Sequence, residues 1–275
     1  MKTAICNDTF QDWDFERVCW LVAEVGYDGV EIAPWTFADS VCDITSGQRR
    51  RIRSIAEGTG LEVVGLHTVT RGPEGIYLNH SDPSIRARTS AYLRSLADFC
   101  GDVGGSIIVL GSAKHRNVLP GLSPVEAWGY AVDTLAGALD RAAERGVTFC
   151  LEPLSHTLTD FLTRAAEALQ MVEEVSHPNL QMMLDVRSAS HDEAPIPDLI
   201  RRSGRHLAHF HANDDNGRGP GMGGADYAAI ASALREVGYS RYLSVEVFDF
   251  SPDPETIARE SVAQLRRYFG AGTIG

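Results

Sequence analysis

The chain has 275 residues, of which 44% are hydrophobic, and a formal net charge of -12 at pH 7. This length and apolar content allow one sizeable hydrophobic core, and they are ordinary for a single-domain α/β barrel. The negative charge argues against a nucleic-acid partner, because such binding depends on Lys and Arg neutralising phosphates, and the absence of a continuous apolar run of roughly 18 residues argues against a membrane span.

The first half of the chain alternates short apolar strands with longer amphipathic helices. Glycines at positions 26, 58 and 146 end three of the helices, and Ser123 followed by Pro124 is a typical helix start. Such alternation is typical of βα units in a parallel sheet. Strands are predicted at residues 3–6, 29–32, 61–67 and 106–110, and helices at 14–25, 46–58, 83–103 and 123–145.

The second half repeats the same unit, with strands predicted at 147–152, 180–185, 206–211 and 242–246, and helices at 161–175, 198–203, 227–237 and 254–268. Eight strands that alternate with eight helices close into a (β/α)8 TIM barrel. An open doubly wound sheet is the rival, but no glycine-rich phosphate fingerprint follows the first strand. No linker or low-complexity tract interrupts the pattern, so we predict one α/β barrel domain over residues 1–275.

The predicted strands of the second half end in polar side chains. In a barrel of this type the active site lies at the C-terminal ends of the strands. Four of these polar residues stand at the ends of the consecutive strands five to eight. A carboxylate at such a position needs a cation nearby if it is buried. Each acid alone is equally well explained as a salt-bridge partner or loop cap. Together they predict an oxygen-rich site for one divalent metal ion, with Mn²⁺ as first choice and Mg²⁺, Co²⁺ or Zn²⁺ as alternatives; the residues are Glu152, Asp185, His211 and Glu246.

Five short motifs give the chain a family resemblance that covers essentially its whole length. They read GVEI at 29–32, LEPL at 151–154, LDV at 184–186, HFHAND at 209–214 and SVEV at 244–247. With these motifs the chain resembles the xylose isomerase-like sugar phosphate isomerase/epimerase superfamily, in the style of its D-tagatose 3-epimerase and L-ribulose 3-epimerase branch. The resemblance implies that Glu152, Asp185, His211 and Glu246 bind one metal ion. It also implies that Glu152 and Glu246 are the acid/base catalysts.

This arrangement predicts proton transfer next to a carbonyl group. A divalent metal polarises the carbonyl and stabilises the enediolate, one carboxylate removes a proton, and the other returns one from the opposite face. We therefore expect an isomerase of carbohydrate metabolism, a sugar epimerase or isomerase like the ketose 3-epimerases. The alternative is a metal-dependent lyase or dehydratase acting on a keto-sugar, keto-glycoside or inosose. An endonuclease IV-like nuclease is a remote alternative that the net charge of -12 disfavours.

The chain departs from the epimerase pattern at two substrate-binding positions. In the epimerases a histidine lies three residues after the strand-six aspartate, and this chain has Ser188 there. A glutamate six residues after the strand-five glutamate is replaced by Leu158. Both changes leave the metal site intact and alter the substrate pocket, so the substrate of the epimerases does not carry over. His191 is a candidate to replace the missing histidine from further along the loop.

Further candidates for substrate binding follow other strands. Arg218 follows His211 as the family's substrate-binding arginine follows its metal ligand; a salt bridge with Asp214 or Asp215 is its alternative role. For His67 at the end of strand three, ligand, substrate-contact and structural roles all stay open.

Three weaker candidates are His115, Trp35 and Asn7. His115 belongs to the basic stretch 114–117. This stretch could bind a phosphate or carboxylate of the substrate, or it is a charged loop exposed to solvent. Trp35 offers an apolar wall for a sugar ring, and Asn7 a polar contact. Glu31 is expected to pair with a basic neighbour inside the barrel, and His209 to be a core histidine.

The cysteines indicate the compartment. All five lack a CxxC partner, which suggests reduced thiols in a cytoplasmic protein. The first residues are too short and too polar a stretch for a signal peptide. The expected partner is a small-molecule sugar or sugar derivative, and the resemblance implies a homodimer or homotetramer.

Overall fold

A computed structural model describes residues 1–270 of the chain. Its eight strands are parallel and form a closed barrel in chain order, which confirms the predicted (β/α)8 fold. The barrel closes where β1 pairs with β8, from Lys2 beside Tyr242 to Ile5 beside Val245. The strands are β1 Lys2–Cys6, β2 Gly29–Ile32, β3 Glu62–Leu66, β4 Ile107–Leu110, β5 Thr148–Leu151, β6 Leu180–Asp185, β7 Leu207–Ala212 and β8 Tyr242–Val245.

The helices connect successive strands around the outside of the barrel. Most begin at a side-chain cap, and α4 has a full capping box in which Ser123 and Glu126 bond each other's backbone N–H groups. The helices in the described residues are α1 Phe15–Val25, α2 Ser46–Gly58, α3 Pro83–Val103, α4 Pro124–Arg145, α5 Ala165–Val175, α6 Val186–Ala189, α7 Ile196–Ser203, α8 Tyr227–Glu236 and α9 Pro254–Phe269.

Two helical segments differ from the prediction by more than two residues at a boundary or in their presence. Helix α5 begins at Ala165 and not at residue 161, because Leu162 has a left-handed φ of 54° and Glu167 caps the N–H groups of Thr163 and Arg164. The four-residue helix α6 was not predicted. It begins where the Asp185 side chain accepts the N–H of Ser188, directly after β6.

Alternation along the strands separates the hydrophobic core from the interior of the barrel. In β7, Phe210 and Ala212 belong to the large core between sheet and helices. His209 and His211 alternate with them and point into the barrel. A small apolar cluster that includes Val109, Cys150 and Met183 fills part of that interior. The same alternation therefore delivers the functional side chains to the inner face.

The structure also bears on the predictions about membrane spans, cysteines and domain number. No helix within residues 1–270 has the length and apolarity needed to cross a membrane. All five cysteines are free, four of them buried. The prediction of one domain over residues 1–275 stays a prediction, and its last five residues lie outside the described part.

Candidate metal and active site

A cavity of about 430 Å³ opens at the C-terminal ends of the strands. Its volume lies in the range of roughly 300–1,000 Å³ that small-molecule sites occupy. We call it the mouth cavity. Its lining residues follow β3, β4, β5, β6 and β8, and they include His67, His115, Glu152, Arg187 and Glu246.

Three of the four predicted metal ligands come together beside this cavity. Ligand atoms of Asp185, His211 and Glu246 all lie within 4.8 Å of one another. Asp185 and His211 are neighbours across the β6–β7 pair, which fixes their spacing. Glu152 is not in that group, although it lines the same cavity. All four side chains are buried, Glu246 being the most exposed at 9%.

Close packing on two sides fixes Glu152. A methyl group at Gly111, the residue after β4, would overlap the Glu152 carboxylate, so only glycine leaves that space. On the other side the buried Arg116 donates from Nη1 to the Glu152 carbonyl at 2.8 Å. Burial lowers the pKa of Arg116 to about 10, which leaves it charged at neutral pH. Arg116 thus serves the backbone of Glu152 and does not face the mouth cavity.

Hydrogen bonds from the chain that follows β6 and β7 orient the Asp185 carboxylate. Its Oδ1 accepts the Ser188 N–H at 2.7 Å, and its Oδ2 accepts from the Asn213 side-chain amide. Asn213 in turn accepts the Arg187 N–H at 2.8 Å through its own Oδ1. Tyr227 of α8 donates to the Asn213 carbonyl. Asp185 therefore has a fixed direction before any ligand binds.

Glu31 of β2 spans the barrel interior to the histidines of β7. It is fully buried, and its oxygens lie 3.2 and 3.3 Å from His211 Nε2 and 2.9 Å from His209 Nε2. The expected pairing of Glu31 with a basic neighbour is therefore present. A histidine that binds a metal usually donates its second ring N–H to such a carboxylate. The other nitrogen, His211 Nδ1, is buried 2.9 Å from Glu246 Oε2 but has no well-formed hydrogen bond within residues 1–270.

His67 links the site to the end of β1. Its Nδ1 lies 3.0 Å from Glu246 Oε1, and its Nε2 lies 3.2 Å from Asp8 Oδ1. The ring is 1% exposed, so it is held between the two carboxylates. His67 lines the mouth cavity and positions Glu246; its open role among ligand, substrate contact and structure stays a prediction.

The buried acids repel one another when no cation is present. Burial, followed by Asp185 and Glu246, raises the pKa of Glu152 well above its usual range. Burial and the charge of Glu246 raise the pKa of Asp185 to about 6. For Glu246, burial is outweighed by the attraction of the nearby His211 and by its contact with His67, so its pKa is lowered. Asp185, His211 and Glu246, which lie together, make a donor set that fits a divalent cation, and Glu152 lines the same cavity.

His115, a predicted substrate contact, also lines the mouth cavity. Its Nδ1 lies 3.1 Å from the Thr70 hydroxyl and 2.9 Å from the Ser112 hydroxyl. Burial, and then the charge of Lys114, lowers its pKa below the usual value. His115 is therefore neutral at pH 7 and acts as a hydrogen-bonding group.

Arg218 and His191 are not among the residues that line the mouth cavity. Arg218 Nε lies 3.9 Å from Asp249, so its carboxylate neighbour is neither Asp214 nor Asp215. The exposed His191 has Nδ1 3.0 Å from the Arg187 carbonyl, and it does not occupy the place of the missing histidine. The substrate-binding roles of both residues stay predictions.

Trp35 and Asn7 line a neighbouring cavity of about 480 Å³. The Asn7 side chain accepts the Ala33 N–H at 2.7 Å and donates to Thr36 at 2.9 Å, which gives it a structural role at the end of β2. Trp35 packs under the guanidinium of Arg71, 3.8 Å from the ring centre. Arg71 lines both cavities, so Trp35 reaches the mouth cavity only through it.

Arg187 and Phe248 also face the mouth cavity, and neither was predicted as a site residue. Arg187 lies two positions after Asp185, and Phe248 two positions after Glu246. The Arg187 guanidinium stacks on the Phe248 ring at 4.5 Å. Position was the available signal, since residues just after a ligand at a strand end lie at the mouth of a barrel.

Three comparisons with known proteins agree with one another. A family model described as xylose isomerase-like TIM barrel matches residues 20–268. The chain is 28% identical over 248 residues to D-psicose 3-epimerase of Ruminiclostridium cellulolyticum, covering 86% of this chain and 80% of that protein. It is 30% identical over 249 residues to D-psicose 3-epimerase of Enterocloster bolteae, covering 86% and 79%. A crystal structure of D-psicose 3-epimerase in the presence of D-fructose has a TM-score of 0.87 at 23% identity, covering 98% of this chain and 100% of that one, which shows the same fold.

Proposed function

The chain belongs to the xylose isomerase-like TIM barrel family, and we propose that it is a divalent-metal-dependent sugar epimerase of the ketose 3-epimerase type. This membership confirms the resemblance that the five motifs indicated. The relatives named D-psicose 3-epimerase support an isomerase. The single observation that supports the chemistry most strongly is the pair of buried glutamates, Glu152 and Glu246, which line one cavity from β5 and β8.

We assign four side chains to the metal site, namely Glu152, Asp185, His211 and Glu246. The metal would polarise the substrate carbonyl and stabilise the enediolate charge. Asp185 and Glu246 offer oxygens beside His211 Nδ1, and Glu31 keeps the other ring nitrogen occupied. Mn²⁺ is proposed because the donor set is rich in oxygen.

Glu152 and Glu246 are proposed as the acid and base. One carboxylate removes the proton from the substrate carbon next to the carbonyl, and the other delivers a proton to the opposite face. The chain keeps both carboxylates in place without help from the substrate. Gly111 leaves room for Glu152, Arg116 holds the Glu152 carbonyl, and His67 lies 3.0 Å from Glu246.

Two further proposals concern the protein's surroundings. The cytoplasm is proposed as its compartment because all five cysteines are free and four are buried. A homodimer or homotetramer stays a prediction from the family.

Isotope exchange tests the proposed function directly. The protein, supplied with Mn²⁺, is incubated with ketoses in D₂O, and the products are read by mass spectrometry and NMR. We expect deuterium at C3 together with the C3 epimer. Glu152→Gln and Glu246→Gln should each abolish turnover, since neither amide can accept the proton. Full activity in either variant would rule out the two-glutamate mechanism.

The same experiment separates the alternative reaction. An unsaturated or dehydrated product, formed with deuterium uptake, would assign the chain to the lyases. Metal binding by the Gln variants is measured by calorimetry. A variant that still binds the metal but exchanges no deuterium has lost the catalytic base and not the metal.

A further inference from the structure

We propose that the preferred substrate carries an anionic group, a phosphate or a carboxylate, at the end of the molecule remote from the reacting carbon. Three basic side chains around the mouth cavity would bind this group. We call them the rim cations, and they are Arg71, Lys114 and Arg187. The proposal rests on the proposed function, because the metal site fixes which end of the substrate lies at the floor of the cavity.

Charge is distributed unevenly across the mouth cavity. The acids among its lining residues are Glu152 and Glu246, both buried at the floor and both assigned to the metal. Around them the lining is basic, although the chain as a whole has a net charge of -12. A local cluster of one sign in a cavity concentrates ligands of the opposite sign. The local charge of the rim therefore favours an anion.

Arg187 is held in place by an aromatic ring. Its guanidinium stacks on Phe248 at 4.5 Å, and its backbone N–H is fixed by the Asn213 side chain at 2.8 Å. A guanidinium that lies over an aromatic ring is attracted to it without using its N–H groups as hydrogen-bond donors to another residue. Those N–H groups are suited to the paired oxygens of a phosphate or carboxylate.

Arg71 repeats the arrangement on the β3 side of the cavity. Its guanidinium lies 3.8 Å from the centre of the Trp35 ring. The two arginines follow different strands, Arg71 in the loop after β3 and Arg187 in helix α6 after β6, yet both line the same cavity. Two independent stacked arginines at one cavity indicate a prepared binding site more strongly than a single exposed charge.

The rim cations also lack acidic partners. Within residues 1–270 none of them forms a salt bridge. Many surface arginines of this chain do; for example, Arg201 pairs with Asp198 at 2.9 Å and with Glu236 at 2.7 Å. Lys114 is exposed at the entrance, beside the neutral His115. Their charges are thus available to a ligand.

The apolar part of the lining points in the same direction. Leu154 and Leu158 line the cavity, and Leu158 is 45% exposed. Leucine offers no hydrogen bond to a sugar hydroxyl, so this side of the cavity gives little recognition of a neutral chain. Charge-assisted hydrogen bonds to an anion supply more affinity than neutral ones.

Three sets of ketoses test the proposal with the Mn²⁺-loaded protein. The first set is neutral, the second carries a terminal phosphate, and the third is the matching keto-acids with a terminal carboxylate. Deuterium exchange at C3 is followed as the common readout. We expect kcat/KM to be at least tenfold higher for one anionic set than for the neutral ketoses, and the difference to shrink as salt is added. The set that is preferred identifies the anion.

Variants identify the residues responsible. Arg187→Gln and Arg71→Gln should each lower kcat/KM for the anionic substrate roughly ten- to a hundredfold, mainly through KM, and leave neutral ketoses within about twofold. Arg202→Gln is the matched control. Arg202 is exposed in the last turn of α7, at the opposite end of the barrel, and its loss should change neither substrate.

The outcomes separate this proposal from the proposed function. Neutral ketoses processed as efficiently as anionic ones, or rim variants that affect both alike, would overturn the anion proposal and leave the epimerase function standing. Absence of deuterium exchange with all three sets would instead contradict the epimerase function itself.

Discussion

Glu31 shows how one buried side chain can act on the proposed metal site through a neighbouring histidine. It lies 3.2 Å from His211 Nε2 and so sets which ring nitrogen is free to bind. The attraction of His209 and His211 outweighs burial and keeps its pKa well below the usual range. Glu31 is therefore ionised and acts as a fixed acceptor for the His211 N–H.

Replacing this acceptor tests its role. We expect Glu31→Gln to weaken metal binding by roughly 10- to 100-fold, because the amide is uncharged and has one acceptor oxygen where the carboxylate has one for each of His209 and His211. Calorimetric titration with Mn²⁺ measures the change. Glu62→Gln is the control, since Glu62 pairs with Lys2 at the other end of the barrel. Equal metal affinity in the Glu31 variant and the wild type would contradict the positioning role.

Gly111 offers a test of the space around Glu152. A methyl group there overlaps the Glu152 carboxylate. We expect Gly111→Ala to lower kcat by at least about tenfold, since a misplaced catalytic group costs on this order. The control is Gly129→Ala in α4, where a methyl group meets nothing within 4 Å. That change should preserve activity and stabilise the helix by roughly 0.5–1 kcal/mol. Normal turnover in the Gly111 variant would show that Glu152 moves freely.

The loop after β7 is folded around one carboxylate. Asp214 is fully buried, and its oxygens accept the N–H groups of Gly221 at 2.9 Å and Ala225 at 2.8 Å. The Gly217 carbonyl then accepts the N–H groups of Phe248 and Asp249 at 2.7 and 2.9 Å. The loop is thereby joined to the chain after β8, and it supports the ring on which Arg187 stacks.

Loosening this loop should be visible by hydrogen exchange. In Asp214→Asn the amide nitrogen cannot accept, so one buried N–H loses its partner at a cost of about 1–3 kcal/mol. We expect faster exchange across residues 213–225 and in residues 247–249. Asp215→Asn is the matched control, because Asp215 is exposed and, within residues 1–270, its side chain accepts only the Gly224 N–H, at 3.1 Å. Unchanged exchange in the Asp214 variant would mean that the loop is held by other contacts.

How far local sequence predicts structure depends on the element. The bounds of β2 and β6 match their apolar runs, since a buried parallel strand reads as a continuous apolar segment. Helix α5 starts late because the left-handed backbone at Leu162 has no signature in its apolar spacing. The stacking of Arg187 on Phe248 joins residues 61 positions apart, and no local pattern contains such a contact.

Across the whole molecule, repeated βα units and polar strand ends were sufficient to predict the barrel and to bring Asp185, His211 and Glu246 to one side. The hydrogen-bond partners were not predictable in the same way. Glu31 reaches His211 because the closed barrel brings β2 opposite β7, and only closure creates that distance. The neighbour of Arg218 was not predictable either, since its side chain lies 3.9 Å from Asp249, and its substrate contact stays a prediction.

The buried site also makes the stability of the metal-free protein depend on pH. Burial raises the pKa of Asp185 to about 6 and that of Glu152 well above its usual range. The pKa of His211 is also raised, because the charges of Glu246 and Glu31 outweigh the effect of burial. A group whose pKa is higher in the folded than in the unfolded protein contributes stability at pH values below its unfolded-state pKa. That contribution is lost as the pH rises through its folded-state pKa. Glu31 and Glu246 have lowered pKa values, so their contributions to stability are lost only below about pH 4.3, the ordinary pKa of a glutamate. Between about pH 5 and 8 the net effect is a fall in stability, by up to about 1.4 kcal/mol per pH unit for each group.

Thermal unfolding measures this effect. We expect the Tm in EDTA to fall from about pH 5.5 to about pH 8, and the rise in Tm on adding Mn²⁺ to grow over the same interval, because metal binding needs deprotonated ligands. Glu152→Gln, which cannot ionise, should flatten the fall in EDTA. A metal-free protein whose Tm rises over this interval would contradict the mutual repulsion of the buried acids.

The contact between Glu31 and His211 has a consequence for biosynthesis. Glu31 emerges early from the ribosome, whereas Glu152, Asp185, His211 and Glu246 all follow in the second half of the chain. The complete set of donors and their support exist only after β8 has been translated and paired with β1. The proposed metal ion could therefore bind only when synthesis is nearly complete, and its uptake would report a correctly closed barrel.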